Sequence, residues 1–192
     1  ATQVLVSSAS SKTAFSTAFC LQRKTNVHVV GMTSDNNRDF VRHLGCYQDV
    51  IAYSELEQQQ SNQEKTLYVD FSGDIALRQR VHAHFDEALV YDCFAGSTQN
   101  TDFLVDASLP GPKPALYFAP IQIRKRNADW GAAILNQRIN EAQLKFIDHL
   151  SQPDLGWMNV IEHEGLSAAT HLIHKLANGH TDPSHGHVVL VD

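Results

Sequence analysis

Three absences limit what this chain can do. No apolar run is long enough to span a bilayer, which excludes a transmembrane helix. The formal net charge is −6 and no basic tract exceeds the short stretch 124–126, so a general nucleic-acid or membrane-surface binder is not expected. No internal repeat or low-complexity linker divides the 192 residues, so a single domain spanning 1–192 is expected.

Cysteine is also scarce. Cys20, Cys46 and Cys93 are odd in number and widely spaced, with no pair at the spacing of metal ligands. This pattern favours reduced thiols in a cytoplasmic protein over a disulfide framework.

Alternating apolar and amphipathic stretches predict the order of secondary structure. Strands are expected at 2–7, 27–32, 49–53, 66–70, 88–94, 158–161 and 187–191. Helices are expected at 11–23, 36–44, 74–85, 129–150 and 166–177. The polar stretch 54–65 is expected to form a surface helix or loop, and the proline-rich segment 96–120 to be irregular. The alternation predicts an α/β fold with a doubly wound, mostly parallel, Rossmann-like sheet of strand order 3-2-1-4-5-6 in three layers, α/β/α.

The turn after the first strand is the strongest functional signal. Strand, short turn and helix meet there, and this junction is where α/β proteins bind phosphate. The dinucleotide fingerprint has glycines at this turn, and the small residues Ser8, Ser11 and Ala14 occupy their places. Lys12 lies in the first helical turn, where a cation opposes the helix dipole unless an anion is nearby. The pattern favours a phosphate site, while a simple helix cap by one of the serines stays open.

A P-loop is the competing motif at the same turn. Ser11-Lys12-Thr13 mimics its ending, but Val6 and Ser11 stand where its two glycines are required. We therefore reject it.

The end of the second strand bears on the choice of cofactor. A carboxylate here binds a ribose 2′-hydroxyl, whereas small hydroxyls and a cation suit a 2′-phosphate. Thr33 and Ser34 occupy the position, with Arg38 close behind, so NADP(H) is favoured over NAD(H). Asp35 leaves NAD(H) possible, and a helix cap by Ser34 or Asp35 with a solvated Arg38 is the plain structural alternative.

The histidines are candidate metal ligands. His82 and His84 lie two apart on a helix, which points them to different sides. His180, His185 and His187 lie near the C-terminus around Asp182, but no cysteine and no ordered spacing supports a closed zinc site. Solvated or capping histidines are expected, and no metal. No Gly-x-Ser-x-Gly elbow indicates a catalytic triad.

Three stretches carry a family resemblance: 4–21, 30–34 and 44–51. They resemble the cofactor domain of medium-chain dehydrogenase/reductases, most closely the quinone-oxidoreductase branch and a bacterial subgroup of it. That branch has an Ala-Ser-Gly-Gly-Val-Gly turn, a Gly-x-Thr-Ser strand end and a Leu-Gly-Ala-Asp-x-Val-Ile segment. The segments 69–74 and 186–190 resemble its fourth-strand end and its closing strand, so the resemblance covers nearly all of the chain.

The resemblance implies which residues contact the cofactor. Those along the pyrophosphate would be Ser8, Ala9, Ser10, Ser11, Lys12 and Thr13. Those at the adenosine ribose or its 2′-phosphate would be Thr33, Ser34 and Arg38. Those at the carboxyl edge of the fourth and fifth strands would be Phe71, Ser72, Gly73, Gly96 and Ser97.

The resemblance also sets expectations for the whole protein. Members of the family have an N-terminal catalytic domain, so this chain is expected to be the C-terminal part of a longer protein from which that domain is absent. The full protein would transfer a hydride between NADP(H) and a carbonyl, enone or quinone substrate, and would dimerise through the last strands of this domain. No catalytic residue is predicted. The alternative is a non-catalytic Rossmann-fold binding or scaffold module that has lost its cofactor, because the turn glycines are missing.

Overall fold

A computed structural model describes residues 2–23, 26–59, 65–97 and 109–191. Residues 60–64 of the predicted surface segment and 98–108 of the predicted irregular segment lie outside this description.

The first half of the chain alternates strands and helices as predicted. Its elements are β1 (Gln3–Val6), α1 (Lys12–Gln22), β2 (His28–Thr33), α2 (Arg38–His43), β3 (Asp49–Ala52), β4 (Thr66–Asp70), α3 (Ile75–Phe85) and β5 (Leu89–Phe94). Three short 3₁₀ helices lie between them, at Asp35–Asn37, Tyr53–Gln58 and Asp86–Ala88. Gly45 follows α2 with a φ of 62°, the left-handed conformation that ends many helices.

The second half differs from expectation in two places. The segment expected to be irregular contains a two-residue strand, β6 (Ala115–Leu116), and the start of a helix, α4 (Ala119–Trp130). The single helix expected at 129–150 is instead divided from α4 at Gly131, which has a φ of 80°, and continues as α5 (Ala132–Leu150). The last elements are β7 (Asn159–Glu164), α6 (Gly165–Ala177) and β8 (His185–Leu190).

Six parallel strands form the main sheet in the order β3-β2-β1-β4-β5-β6, which confirms the predicted Rossmann-like order. Strands β7 and β8 do not extend this sheet. They pair with each other in parallel, from Asn159 opposite His185 to Glu164 opposite Leu190.

Both faces of the main sheet are covered, which is why its strands are apolar on both sides. On one face, Phe15 and Phe19 of α1 pack with Val41 and Leu44, and with Leu150 at the end of α5. Phe15 is completely buried, and burying a side chain of this size stabilises the fold by roughly 1.5–3 kcal/mol.

The opposite face is covered by α3 and the 3₁₀ helix Tyr53–Gln58. Its core contains Leu5 and Tyr68 of the sheet together with Leu56, Leu77 and Val81. The sheet is therefore held between two layers, with the carboxyl ends of its strands left open at one edge.

Candidate nucleotide-binding site

A cavity of about 740 Å³ lies at the carboxyl ends of β1, β2 and β3. One wall is formed by residues that the sequence predicts to bind a cofactor: Ser8, Ser10, Ser11, Lys12, Thr33 and Ser34. The opposite wall comes from the end of α6 and the segment 178–187. The structure thus brings the first turn and the end of the second strand to one cavity.

The turn between β1 and α1 combines a left-handed residue with a helix N-cap, and neither residue is a glycine. Ser8 adopts a φ of 47°, the left-handed conformation that normally selects glycine. Ser11 is the N-cap of α1, and its Oγ accepts a hydrogen bond from the Ala14 amide at 3.3 Å. The cap proposed as the plain alternative is therefore present. Since the first-turn N–H groups of Lys12 and Thr13 have no carbonyl partner within the helix, the cap does not exclude an anion there.

Neighbouring side chains hold the turn in place. The Ser8 amide donates to the hydroxyl of Tyr53 at 3.0 Å, and Asn37 Nδ2 donates to Ser10 Oγ at 3.2 Å. Both partners also line the cavity. Burial is the main reason why the pKa of Tyr53 is raised, so its hydroxyl is protonated at neutral pH.

A close approach between β2 and the turn explains a glycine inside the strand. Tyr47 passes over Gly31, and its hydroxyl donates to the Ala9 carbonyl at 3.0 Å. A Cβ at Gly31 would lie 2.9 Å from Tyr47 Cδ1 and 3.0 Å from Ala9 Cβ. Ala9 is completely buried by this packing, so it supports the turn rather than lining the cavity.

Lys12 reaches across the cavity to the opposite wall. Its Nζ donates to the carbonyl of Pro183 at 3.2 Å and to that of His185 at 3.0 Å. Burial lowers the pKa of Lys12, and the negative charge of Asp182 opposes this effect. The ammonium group that the sequence assigned to a phosphate therefore has carbonyl partners of its own.

Two other predicted contacts lie away from the cavity wall. Arg38 pairs with Glu55 on the 3₁₀ helix after β3, so its charge is already balanced. Thr13 lies in an apolar groove on the face of the sheet, together with Phe71 and the aromatic residues Tyr117 and Phe118.

The residues predicted at the ends of β4 and β5 form a separate cluster. The buried Asp70 Oδ1 accepts from Ser7 Oγ, from Ser72 Oγ and from the amides of Ser72 and Gly73. Gly73 has a φ of 66° and lies so close to Ser97 that an added Cβ would be 2.7 Å from its Oγ. The amide of Gly96 donates to the Asp70 carbonyl. Asp70 therefore fixes the edge of the sheet beside the turn, and these residues are structural neighbours of the cavity rather than part of its lining.

Behind this edge lies a buried network of charges that the sequence did not predict. Arg78 of α3, only 3% exposed, pairs with Asp70 of β4 at 2.5 Å and with Asp92 of β5 at 3.2 Å. His82, one turn later on α3, contacts Asp92 Oδ2 through Nε2 at 2.9 Å and the Pro110 carbonyl through Nδ1 at 2.6 Å. His82 is completely buried and neither solvated nor a cap.

Of the three C-terminal histidines, His180 is exposed as expected, whereas His185 and His187 are partly buried beside the cavity. His185 and His187 line its far wall, and His163 Nε2 is 2.9 Å from His187 Nδ1. Within the described ranges, no three histidine, cysteine, aspartate or glutamate side chains are grouped to hold a metal ion. Across the same residues, no helix is both long and apolar enough to cross a membrane.

The sequence did not predict the far wall of the cavity, nor two residues of the near wall, Tyr53 and Asn37. Tyr53 follows directly after β3, and the carboxyl end of a parallel strand is a signal that could have identified it. Asn37 lies in the 3₁₀ helix after β2. The contribution of α6 and 178–187 had no local signal, because it depends on how the last elements pack against the sheet.

Together, the sheet order and the cavity at its carboxyl edge define a Rossmann-like α/β protein with a candidate nucleotide site. The chain belongs to the family described as "Protein of unknown function (DUF2855)", which matches residues 1–182. No curated protein is significantly similar to it in sequence.

Two solved oxidoreductases and a third protein with bound NAD share the fold at low sequence identity. The YhdH oxidoreductase from Salmonella enterica in complex with NADP is 15% identical with a TM-score of 0.57, covering 99% of this chain and 54% of that protein. The quinone oxidoreductase from Coxiella burnetii is 14% identical with a TM-score of 0.58, covering 96% and 52%. Bacillus subtilis YhfP with NAD bound is 16% identical with a TM-score of 0.55, covering 97% and 54%. The chain therefore spans about half the length of these proteins.

Proposed function

We propose that this chain is the NADP(H)-binding domain of a medium-chain reductase-like oxidoreductase. The observation that carries the proposal is the cavity at the carboxyl edge of the sheet, because the serine turn and the Thr33-Ser34 strand end both line it. The first turn of α1 supplies the helix N-terminus that a pyrophosphate requires. The bound dinucleotides of YhdH and YhfP, on the same fold, support this assignment.

The dinucleotide would supply the hydride chemistry, and the protein would bind and orient it. In this proposal the turn binds the pyrophosphate through the cavity-lining residues Ser8, Ser10, Ser11 and Lys12 and the backbone amide of Thr13, and Thr33 and Ser34 face the adenosine ribose. Because Arg38 is paired with Glu55, its positive charge no longer supports the binding of a 2′-phosphate. The preference for NADP(H) over NAD(H) then depends on the small hydroxyls at Thr33 and Ser34, and NAD(H) is the second choice.

We also propose that the functional protein is longer than this chain and includes a catalytic domain that binds a carbonyl, enone or quinone. Large apolar side chains are exposed on the last elements, among them Val160 on β7 and Leu166 and Ile173 on α6, at 59%, 74% and 63%. An uncovered apolar surface of this kind marks an interaction site. A homodimer through the last strand of the main sheet is proposed on similar grounds, since Leu116 of β6 and the adjoining Tyr117 and Phe118 are exposed.

A second function is favoured by a specific observation. The donors expected to contact phosphate already have protein partners: the Ser8 amide has Tyr53, the Lys12 ammonium has two carbonyls, and Arg38 has Glu55. A Rossmann-fold scaffold that no longer binds a cofactor would have this arrangement.

Calorimetric titration with NADPH and NADH separates the two functions. Saturable binding with NADPH tighter than NADH is expected. Replacing Ser34 with glutamate places a carboxylate at the ribose. It is therefore expected to weaken NADPH binding at least about tenfold and to leave NADH binding unchanged. Ser167→Glu is the matched control, because Ser167 is exposed in the first turn of α6, where a carboxylate suits the helix dipole.

Two results would contradict the proposal. If neither dinucleotide binds at millimolar concentration, the scaffold function is correct. If NADH binds more tightly than NADPH to the unsubstituted chain, the assignment of a 2′-phosphate to Ser34 is wrong.

A further inference from the structure

A second cavity, of about 470 Å³, lies between β7, α6 and β8. Its wall contains an unusual concentration of imidazoles and one lysine: His163, His171, Lys175, His180, His185 and His187. We call it the histidine cavity. It shares His185 and His187 with the candidate nucleotide site but extends to the other side of them.

The pair at its base leaves one nitrogen without a partner. His163 Nε2 and His187 Nδ1 are 2.9 Å apart, so one of them donates and the other accepts. His187 Nε2 is buried and has no hydrogen-bond partner among the described residues. If His163 donates, the proton of neutral His187 lies on Nε2, which becomes a buried donor without an acceptor. In the opposite arrangement Nε2 is an unpaired acceptor.

The groups that line the cavity favour an anionic partner, and therefore the first arrangement, in which Nε2 is a donor. Burial lowers the pKa of His187, and the neighbouring positive charges of His163, His185, Lys12 and Lys175 lower it further. Asp182 also lines the cavity, and its Oδ1 accepts from the amide and the hydroxyl of Ser184, which lowers the pKa of its carboxyl and keeps it ionised. Lys175 and the five imidazoles outnumber this one carboxylate, so an anion gains a counter-charge and hydrogen-bond donors here, and leaving the buried donor of His187 unpaired costs about 1–3 kcal/mol.

We propose that the histidine cavity binds a small oxyanion, a carboxylate or phosphate group, with His187 Nε2–H as its central donor and Lys175 as its counter-charge. The site does not require a dinucleotide, although its position beside the nucleotide cavity would let it hold the acidic group of a small substrate. Binding of the anion stabilises the protonated histidines, so it takes up protons and is tighter at lower pH.

Histidine-ring NMR of the chain, titrated with inorganic phosphate and separately with acetate, tests the proposal. We expect saturable shifts of the His163 and His187 ring signals with at least one anion. Once the second ionisation of phosphate itself is allowed for, the affinity should rise by up to about tenfold per pH unit from pH 8 to pH 6. Whichever anion binds more tightly, phosphate or acetate, identifies the preferred oxyanion as a phosphate or a carboxylate. His187→Phe removes the central donor and should abolish the shifts at the remaining histidines.

Two further variants keep the test independent of folding. Lys175 is exposed, so Lys175→Gln should preserve the fold while lowering the affinity for the anion severalfold. His174→Phe is the matched control on the same helix, since His174 does not line the cavity, and it should bind like the unsubstituted chain. The proposal is overturned if neither anion gives saturable shifts, if His187→Phe binds unchanged, or if affinity is independent of pH. It is also overturned if only NADPH shifts these rings, because the histidines would then belong to the nucleotide site.

Discussion

The buried histidine on α3 leads to a prediction about stability and pH. His82 is completely buried, and its two ring nitrogens face the Asp92 carboxylate at 2.9 Å and the Pro110 carbonyl at 2.6 Å. Both partners can only accept, so this geometry requires a doubly protonated imidazolium. Burial alone lowers the pKa of His82, but the two hydrogen bonds and the charge of Asp92 outweigh it, and the pKa is raised above 6.5.

The magnitude follows from what the substitution His82→Phe removes. It keeps a ring in the space but deletes both donors, and it leaves Asp92 with Arg78 as its remaining cation. Breaking one partner from a buried ionic cluster costs roughly 3–5 kcal/mol. Since a domain of this size is stabilised by about 5–15 kcal/mol in total, the variant should unfold at a much lower urea concentration near pH 6.

The sign of the pH dependence follows from the direction of the shift. A histidine whose pKa is raised in the folded state contributes its full stabilisation of the fold at pH values below its unfolded pKa of about 6.5. That contribution is lost as the pH rises through the pKa of the folded state. The gap in unfolding free energy between the unsubstituted chain and His82→Phe should therefore shrink from pH 6 towards pH 9, by at most about 1.4 kcal/mol per pH unit.

Urea unfolding followed by circular dichroism at pH 6, 7.5 and 9 measures this gap. His84→Phe is the control on the same helix, because His84 makes a single hydrogen bond, to the Gln59 carbonyl, and has no part in the ionic cluster. A gap that is constant with pH, or that widens as pH rises, would refute the imidazolium assignment.

Three further predictions concern the turn and the thiols. Gly31→Ala should destabilise the fold by about 1–3 kcal/mol, measured by thermal unfolding, because the new methyl group overlaps the Tyr47 ring; an unchanged midpoint would contradict this packing. Cys46 is buried and its pKa is raised to about 12, chiefly by burial, so native-state alkylation at pH 8 followed by mass spectrometry should label Cys20 and spare Cys46. Tyr53→Phe should tighten NADPH binding by up to about tenfold if the turn amide it frees contacts phosphate, and a weaker affinity would show that the hydroxyl belongs to the binding site.

The main sheet could be predicted from the sequence because its strands carry the pattern directly. Buried parallel strands are continuous apolar runs, and the stretch 66–70 was predicted with the same limits as β4. The errors lie where the local pattern is weak or ambiguous. A two-residue strand such as β6 has no periodicity. The proline content of 96–120 indicates irregular structure, although Pro120 is favourable in the first turn of α4. Gly131 interrupts the helix expected at 129–150, so its first two residues belong to α4 and the rest form α5.

The candidate site could be predicted only in part, for a different reason. The turn and the end of β2 are short local motifs, whereas the wall formed by 178–187 depends on packing between the ends of the chain. The charge network was hidden because Arg78 and His82 look like polar helix residues. Asp70 and Asp92 were the available signal, since a carboxylate inside an apolar strand must have a buried partner on the facing helix.

The partners that the turn already has weaken a cofactor site without abolishing it. A hydrogen bond such as that from the Ser8 amide to Tyr53 contributes about 0.5–1.5 kcal/mol, so a phosphate that displaces the hydroxyl loses at most about tenfold in affinity. The first-turn amides of α1 lose nothing, because their availability follows from helix geometry rather than from glycine. Ser8 also adopts the conformation for which the first glycine is normally needed. Serine in place of glycine therefore changes the free-energy cost of binding a phosphate at this turn, while the Lys12 and Thr13 amides keep no partner within the helix.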